Sequence, residues 1–450
     1  MAGSATRRSQ VTRLVVVGGG AAGMSAATAA RRTDPALDVT VFEAGDHVAY
    51  GMCGIPYYLG GVVDRAERLL AYPPDEFLAR GIELRLGTPV TGIEANHVRT
   101  AAGEMVGFDA LVLAAGAEPV VPRLPGLDDP RVFTVRALAD AIRMRELLDA
   151  GVRRALVVGA GYVGLEAAEA LVERGAETTV VEALPQVLST VDDPVAELVA
   201  GELRRHVRLL PGRRLGGIQP HADRLTAVIG DEHGEERLDV DLVVVAVGIR
   251  PATALLAAAD RLPSGELLVD DHMRTSVPDV FAAGDCVAHH HRVLGRPAPM
   301  PLGPAANKTG RVAGMVAAGG DASFPGVVGT AAVKVFELHV ARTGLSLTEA
   351  HAAGIAAVAT DAQSRSRAKY YPGSEPLFVR LVHEPGGRLL GAQMAGRDGV
   401  AKRIDVVATA LYAGLGIADL TRLDLSYAPP FAPVYDPVAV AAQRGGKRGR

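Results

Sequence analysis

Two stretches of the chain repeat one alternation of apolar and small residues. The first sets Arg13-Leu14-Val15-Val16-Val17 before Gly18-Gly19-Gly20-Ala21-Ala22-Gly23, runs through an alanine-rich segment to Arg32, and ends in Val39-Thr40-Val41-Phe42-Glu43. The second sets Ala155-Leu156-Val157-Val158 before Gly159-Ala160-Gly161-Tyr162-Val163-Gly164, continues to about Arg174, and ends in Thr178-Thr179-Val180-Val181-Glu182. Runs of four or five mostly β-branched residues are too short for helices and predict strands buried on both faces of a parallel sheet. Each stretch therefore reads as strand, glycine turn, helix and second strand closed by an acid. Shorter apolar runs closed by glycine, at Ala110–Ala115, Leu242–Val247 and Val280–Ala283, predict further strands.

Proline-rich joints at Pro119–Pro125 and Pro297–Pro304 predict crossings between domains. From about Pro325 the dinucleotide pattern does not recur. Strands are expected at Ala332–Leu338 and Leu377–His383 and a helix at Val400–Ala413, an α+β mixture. The predicted class is α/β: two doubly wound, Rossmann-like dinucleotide domains and a C-terminal α+β domain. The expected boundaries are 1–118 and 251–324 for the first domain, 119–250 for the second and 325–450 for the third.

Composition narrows the function. The 450 residues are 48% hydrophobic and 22% charged, with no apolar run able to cross a membrane. A net charge of −4 provides no field for nucleic acid, and 4% aromatics without tryptophan provide no base-stacking platform. Two cysteines, Cys53 and Cys286, are too few for a disulfide scaffold, so a reducing cytoplasm is expected. Arg7-Arg8 precedes an apolar stretch, but that stretch runs straight into the first glycine turn and reads as a core strand rather than an export signal. The terminal Gly445-Gly446-Lys447-Arg448-Gly449-Arg450 reads as a disordered basic tail.

Each glycine turn has the context that a dinucleotide fingerprint requires. Gly18 and Gly159 make the tight turn, Gly20 and Gly161 (with Ala22, Tyr162 and Val163 beside them) let pyrophosphate approach the backbone, and Gly23 and Gly164 let helix pack on strand. The helix N-terminus adds amide donors and positive dipole. Glu43 and Glu182 follow at the offset that reaches a ribose diol. An acid there accepts from a 2′-hydroxyl and repels a 2′-phosphate, so Glu182 predicts NADH over NADPH, with NADPH still open.

The segment Thr275-Ser276-Val277-Pro278-Asp279-Val280-Phe281-Ala282-Ala283-Gly284-Asp285 resembles the late motif of two-dinucleotide flavoproteins. That resemblance makes one ligand FAD and gives Asp285 a ribitol hydroxyl. Ala114-Ala115-Gly116 and Gly248-Ile249-Arg250-Pro251 match the interdomain turns of such proteins. It also sets the helix start at Ala305 against the flavin pyrimidine, where a dipole stabilises reduced flavin.

Cys53 lies in Gly51-Met52-Cys53-Gly54-Ile55-Pro56-Tyr57, where Pro56 suits a first helical turn. A thiol at that N-terminus is expected to have a lowered pKa. No second cysteine stands four or five residues away, so Cys53 has to cycle alone, through a sulfenic acid or a mixed disulfide. Cys286 reads as structural.

Over nearly its whole length the chain resembles the single-cysteine pyridine nucleotide-disulfide oxidoreductases, a group of coenzyme A-disulfide reductases, NADH oxidases and NADH peroxidases. The match to coenzyme A-disulfide reductases is the closest of these. It is carried by Cys53-Gly54-Ile55-Pro56-Tyr57, Tyr370-Tyr371-Pro372-Gly373, Tyr427-Ala428-Pro429-Pro430 and Asp436-Pro437-Val438. The resemblance implies a homodimer in which Tyr427 and one of Tyr370 or Tyr371 serve the partner's cysteine. It also implies coenzyme A phosphates at Arg31-Arg32, with Tyr57 beside the substrate. Electrons would pass from NADH through FAD to Cys53 and on to a small disulfide.

Departures widen the substrate question. Ala21 stands where peroxidases and many oxidases carry a histidine. Ala49 replaces a serine and Glu76 a lysine common in coenzyme A-disulfide reductases. Other disulfides, persulfides, polysulfide or oxygen stay open as acceptors, the NADH oxidase reading among them. An electron-carrying or redox-sensing flavoprotein is the alternative of another class. His289-His290-His291 read as a solvated loop run, with no metal site expected. Asp192-Asp193 and Asp270-Asp271 read as turn or capping residues.

Overall fold

A computed structural model describes residues 11–448 except residue 233, so the Arg7-Arg8 pair lies outside the described residues. The first unit contains β1 (Arg13–Val17), α1 (Ala21–Thr33), β2 (Asp38–Phe42), α2 (Ile55–Gly60), β3 (Ile82–Arg85) and β4 (Ala110–Leu113). β1 pairs in parallel with β2 on one side and β4 on the other, Val16 opposite Val41 and Val112. Leu14, Val15 and Val16 are buried on both faces, which is why this strand is an unbroken apolar run.

The second unit repeats the plan with β5 (Val132–Phe133), β6 (Arg154–Val158), α3 (Tyr162–Glu173), β7 (Glu177–Glu182), α4 (Asp193–Leu203), β8 (Arg208–Pro211) and β9 (Leu242–Val245). Its parallel sheet has the order β8-β7-β6-β9-β5. The chain then returns to the first sheet. β10 (Val280–Ala282) pairs with β4 and completes the order β10-β4-β1-β2-β3. After β11 (Val287–His291), α5 (Gly303–Ala317) lies on α1, and Gly310 and Gly314 bring its backbone against Ala22 and Ala26.

The last unit is an antiparallel sheet. β12 (Ala331–Val335), β13 (Leu338–Gly344), α6 (Leu347–Ala352), β14 (Val358–Arg365), β15 (Pro376–His383) and β16 (Leu389–Gly396) precede α7 (Val400–Tyr412) and α8 (Pro437–Arg448). The strand order is β12-β13-β16-β15-β14. α7 packs on β13 and β16, and α8 on β14 and β15.

Three expectations are corrected. The single strand at 332–338 is a hairpin, because the chain reverses at Phe336, whose φ is +52°, and Glu337. The three histidines are not a loop run but the end of β11, so strand alternation buries His289 and His291 and exposes His290. The C-terminal tail is helical through 448, and Gly445 lets α8 come close to Ile417 and His383. Asp192 precedes α4, but its side chain does not cap that helix. It is buried and accepts from Leu347 N (3.1 Å) and Gln393 Nε2 (2.9 Å), tying the second unit to the third.

One apolar cluster joins all three units. Ile55 and Leu59 of α2 pack with Leu165 and Ala168 of α3 and with Val335 and Phe336 of the hairpin. The segment that carries Cys53 is thereby anchored in the second unit's core.

Candidate functional site

The two glycine turns have the same local geometry. Gly18 and Gly159 have φ of +106° and +103°, and a Cβ on either would drive into a carbonyl of the neighbouring strand exit, Ala114 or Ala246. A Cβ on Gly23 or Gly164 would strike the carbonyl of Gly18 or Gly159. The acids match as well. Glu43 accepts from Gly19 N (2.6 Å) and Gly45 N (2.8 Å), and Glu182 from Ala160 N (2.7 Å) and Leu184 N (2.8 Å).

Their surroundings differ. The first turn opens into a cleft of about 1040 Å³, large enough for an extended dinucleotide. Gly18, Gly20, Ala22 and Glu43 line it from the first unit, Ala115 and Gly116 from the crossing chain, and Gly284 and Asp285 from the returning chain. Ala305 is buried behind Ala306, which takes its place in the wall. Burial raises the Asp285 carboxyl above the usual range, and Arg136 opposes that shift. The backbone at Gly161 and Gly248 instead looks onto open space. Val163 is exposed there, while Tyr162 is largely covered, its hydroxyl 3.3 Å from that of Thr190.

Cys53 sits in a 3₁₀ turn, Met52–Gly54, immediately before α2. Gly51 N donates to Leu69 O and Gly54 N to Gly51 O, which hold the turn shut (2.8 Å each). Met52 lines the cleft and the Cys53 thiol is exposed beside it. Its pKa is raised, not lowered as expected. Partial burial is the main cause, and the carboxylates of Glu166 and Asp285 add to it. Cys286 is fully buried with its sulfur on Ala283 O (3.3 Å) and Leu113 O (3.6 Å), and burial pushes its pKa to about 11.

An acidic stripe on α3 faces the cysteine segment. Glu169 is bound by Lys334 Nζ and by Phe336 N (2.7 Å), both from the hairpin. Burial, with the Glu169 charge, lifts the Glu166 carboxyl to about 7. Tyr57 is raised by burial and by the same two acids. Glu166, Lys334 and Arg136 escaped the sequence reading because no motif marks them; they belong to the site through tertiary packing.

Tyr370, Tyr371 and Tyr427 are exposed on the C-terminal unit, and the neighbouring Tyr370 hydroxyl raises the Tyr427 pKa. They are not among the groups that act on Cys53 of the same chain. Arg31 and Arg32 part company. The Arg31 guanidinium donates through Nε and Nη1 to the carbonyls of Arg80, Pro35 and Leu37 (2.6–3.1 Å), while Arg32 is exposed.

Comparison with known proteins agrees with this architecture. The model of the family "Pyridine nucleotide-disulphide oxidoreductase" matches residues 12–310, and that of its dimerisation domain matches residues 330–438. The chain is 38% identical over 443 residues to the "NAD(P)H sulfur oxidoreductase (CoA-dependent)" of Pyrococcus furiosus, covering 96% of this chain and 98% of that one. It is 31% identical over 447 residues to an "NADH oxidase" of Methanocaldococcus jannaschii, covering 97% and 99%. Among solved structures, an NAD-dependent persulfide reductase from A. fulgidus superposes with a TM-score of 0.91 at 38% identity, covering 96% of this chain and 82% of that one.

Proposed function

The chain belongs to the pyridine nucleotide-disulphide oxidoreductase family, and we propose that within it this protein reduces a small disulfide or persulfide of the coenzyme A type. The family is FAD-dependent with NAD(P)H substrates. The observation that carries the reading is the isolation of Cys53: an exposed thiol beside the cleft, with the other cysteine sealed in the core. Similarity to a CoA-dependent sulfur oxidoreductase and a persulfide reductase supports the substrate class.

Domain limits at 1–118 with 251–324, 119–250 and 325–450 follow the sheet changes. The first turn suits FAD, with Glu43 toward a ribose, Asp285 toward the ribitol and the N-terminus of α5 toward the pyrimidine edge. A flavin bound there supplies two-electron transfer between nicotinamide and sulfur. The second turn, with Glu182, suits NADH. Arg213 lies nearby but is paired with Asp231 (3.1 Å) and Glu236 (3.5 Å), so it does not offer a 2′-phosphate a free cation.

The Cys53 thiolate attacks one sulfur of the disulfide, the S–S bond breaks, and one thiol leaves with a proton. Two electrons that entered as hydride then cleave the Cys53 mixed disulfide, restoring the thiolate and freeing the second thiol. Overall one disulfide, one NADH and one proton give two thiols and NAD⁺. Arg32 is placed for the coenzyme's phosphates and Tyr57 lies beside the reacting sulfur. Tyr427 and Tyr370 serve Cys53 of a second copy, and the exposed Phe431 and Tyr435 near them support a homodimer contact. Two unpaired thiols fit a reducing compartment.

Anaerobic NADH oxidation against coenzyme A disulfide, coenzyme A persulfide, polysulfide and oxygen tests the reading. Turnover with the coenzyme A species is expected, with a coenzyme A adduct on Cys53 by mass spectrometry. Cys53→Ser should lose at least about 10³-fold of disulfide turnover yet keep flavin reduction by NADH. Brisk oxygen consumption with Cys53 found only as thiol or sulfenic acid would assign NADH oxidase chemistry instead.

A further inference from the structure

Arg403 stands in the first turn of α7 and is only 7% exposed. Its guanidinium donates four hydrogen bonds to three segments. Nη1 reaches Gly399 O (3.1 Å) at the start of its own helix, and Nε reaches the Asp436 carboxylate (3.0 Å). Nη2 reaches Ser366 O (2.7 Å) and Phe431 O (3.2 Å). Ser366 opens the loop that carries Tyr370 and Tyr371, and Phe431 follows Tyr427 in the loop that leads to α8. Asp436 in turn caps α8, accepting from Val438 N (2.9 Å).

The two tyrosine loops also touch directly: Ala368 N donates to Pro429 O (3.3 Å), and Tyr370 is close enough to Tyr427 to raise its pKa. Gly399 makes room for this arrangement. Its φ is +72°, and a Cβ there would fall on Arg403 Nη1. A buried guanidinium bound on all sides holds its acceptors in place, because any loop that moved away would leave a buried cation short of a partner. Lysine offers one flexible point charge and cannot span the same fork.

We infer that Arg403 is a positioning residue for the disulfide step: by tying Ser366, Phe431 and Asp436 to one planar group, it sets the mutual placement of the Tyr427 and Tyr370 hydroxyls. This role rests on the reading above, in which those tyrosines serve the cysteine of a second copy. It does not involve the nicotinamide turn, which is built from another unit.

The test uses the FAD-loaded protein with Arg403→Lys, Gly399→Ala, Tyr427→Phe and the Arg403→Lys/Tyr427→Phe double variant. Two rates are followed anaerobically: flavin reduction by NADH, and reoxidation by coenzyme A disulfide. Arg403→Lys and Gly399→Ala should each slow reoxidation by about 10- to 100-fold, the cost of a small misplacement of a reacting group, and leave reduction by NADH unchanged. The double variant should be no slower than Tyr427→Phe alone, since both changes remove the same function. The positioning role is overturned if Tyr427→Phe slows reoxidation but Arg403→Lys does not, if the two defects multiply, or if both rates fall together in Arg403→Lys and Gly399→Ala. A Tyr427→Phe variant with the full reoxidation rate overturns the tyrosine reading itself, and the role of Arg403 with it.

Discussion

The two glycine-turn units share a fingerprint but not a neighbourhood. Gly18 and Gly159 match in φ within a few degrees, and Glu43 and Glu182 accept the same pair of backbone amides. Around the first turn, α5 seals α1 through Gly310 and Gly314, and several separate stretches of chain wall in the cleft. Around the second, α3 is covered by α2 and the β12–β13 hairpin while the turn itself faces open space. On the proposed assignment, local geometry suits each turn to a dinucleotide, and the enclosure built around it would decide whether the ligand stays or exchanges.

Paired substitutions at the turns put that comparison at most risk. Gly18→Ala and Gly159→Ala create the same clash at the same φ. Each should cost about 1–3 kcal/mol locally, from backbone strain and overpacking. In Gly18→Ala the cost should appear as FAD lost on dilution, read by the flavin-to-protein ratio. In Gly159→Ala flavin should remain bound while KM for NADH rises by about 10- to 100-fold. If both variants shed flavin equally, enclosure is not what separates the units.

Much of this contrast was legible in residue order, and the part that was not has a common cause. β1, β6 and their turns were readable because strand burial and glycine sterics act over a few neighbouring residues. The interruption of the first sheet by the second was legible only through the resemblance of Thr275–Asp285 to the late motif of two-dinucleotide flavoproteins, since the run at Val280–Ala283 shows a strand but not the sheet it joins. The hairpin at Phe336 was not, because its reversal uses a non-glycine residue at positive φ with no turn signal. The His289–His291 strand was missed because its alternation hides in three identical residues. Glu166, Lys334 and Arg403 were beyond reach for a different reason: each matters through at least one group more than thirty residues away. The predicted lowering of the Cys53 pKa failed on the same point, since a local helix start was weighed while burial by packed segments, and after it the distant carboxylates, were not.

A smaller effect sharpens the comparison at the acids. Glu182→Ala removes a charged hydrogen-bond acceptor from the open turn and should raise KM for NADH by about tenfold. NADPH should gain relative to NADH, because the charge that repels a 2′-phosphate is gone. Flavin content should not change. Glu43→Ala should do the reverse, weakening flavin retention while KM for NADH holds. Swapped phenotypes would mean that the ligands were assigned to the wrong turns.

The smallest effect lies where the units meet, at Glu166. Its carboxyl titrates near 7 because burial and Glu169 disfavour the anion, while Lys334 is engaged by Glu169. The unfolded value is the ordinary 4.5, so between 4.5 and 7 the folded chain holds the extra proton. Stability from this group is therefore present below pH 4.5 and lost as pH rises through 7. The same titration acts on Cys53, since each Glu166 that ionises adds an anion beside the thiol and holds its pKa up. Glu166→Gln should then lower the Cys53 pKa, read from the pH dependence of iodoacetamide alkylation of the NADH-reduced protein. It should also flatten the loss of thermal stability between pH 5 and 8, to the degree of about one titrating group. An unchanged alkylation profile would mean that α3, although packed against the cysteine segment, does not set the reactivity of its sulfur. The second unit would then contribute only a nicotinamide and a wall.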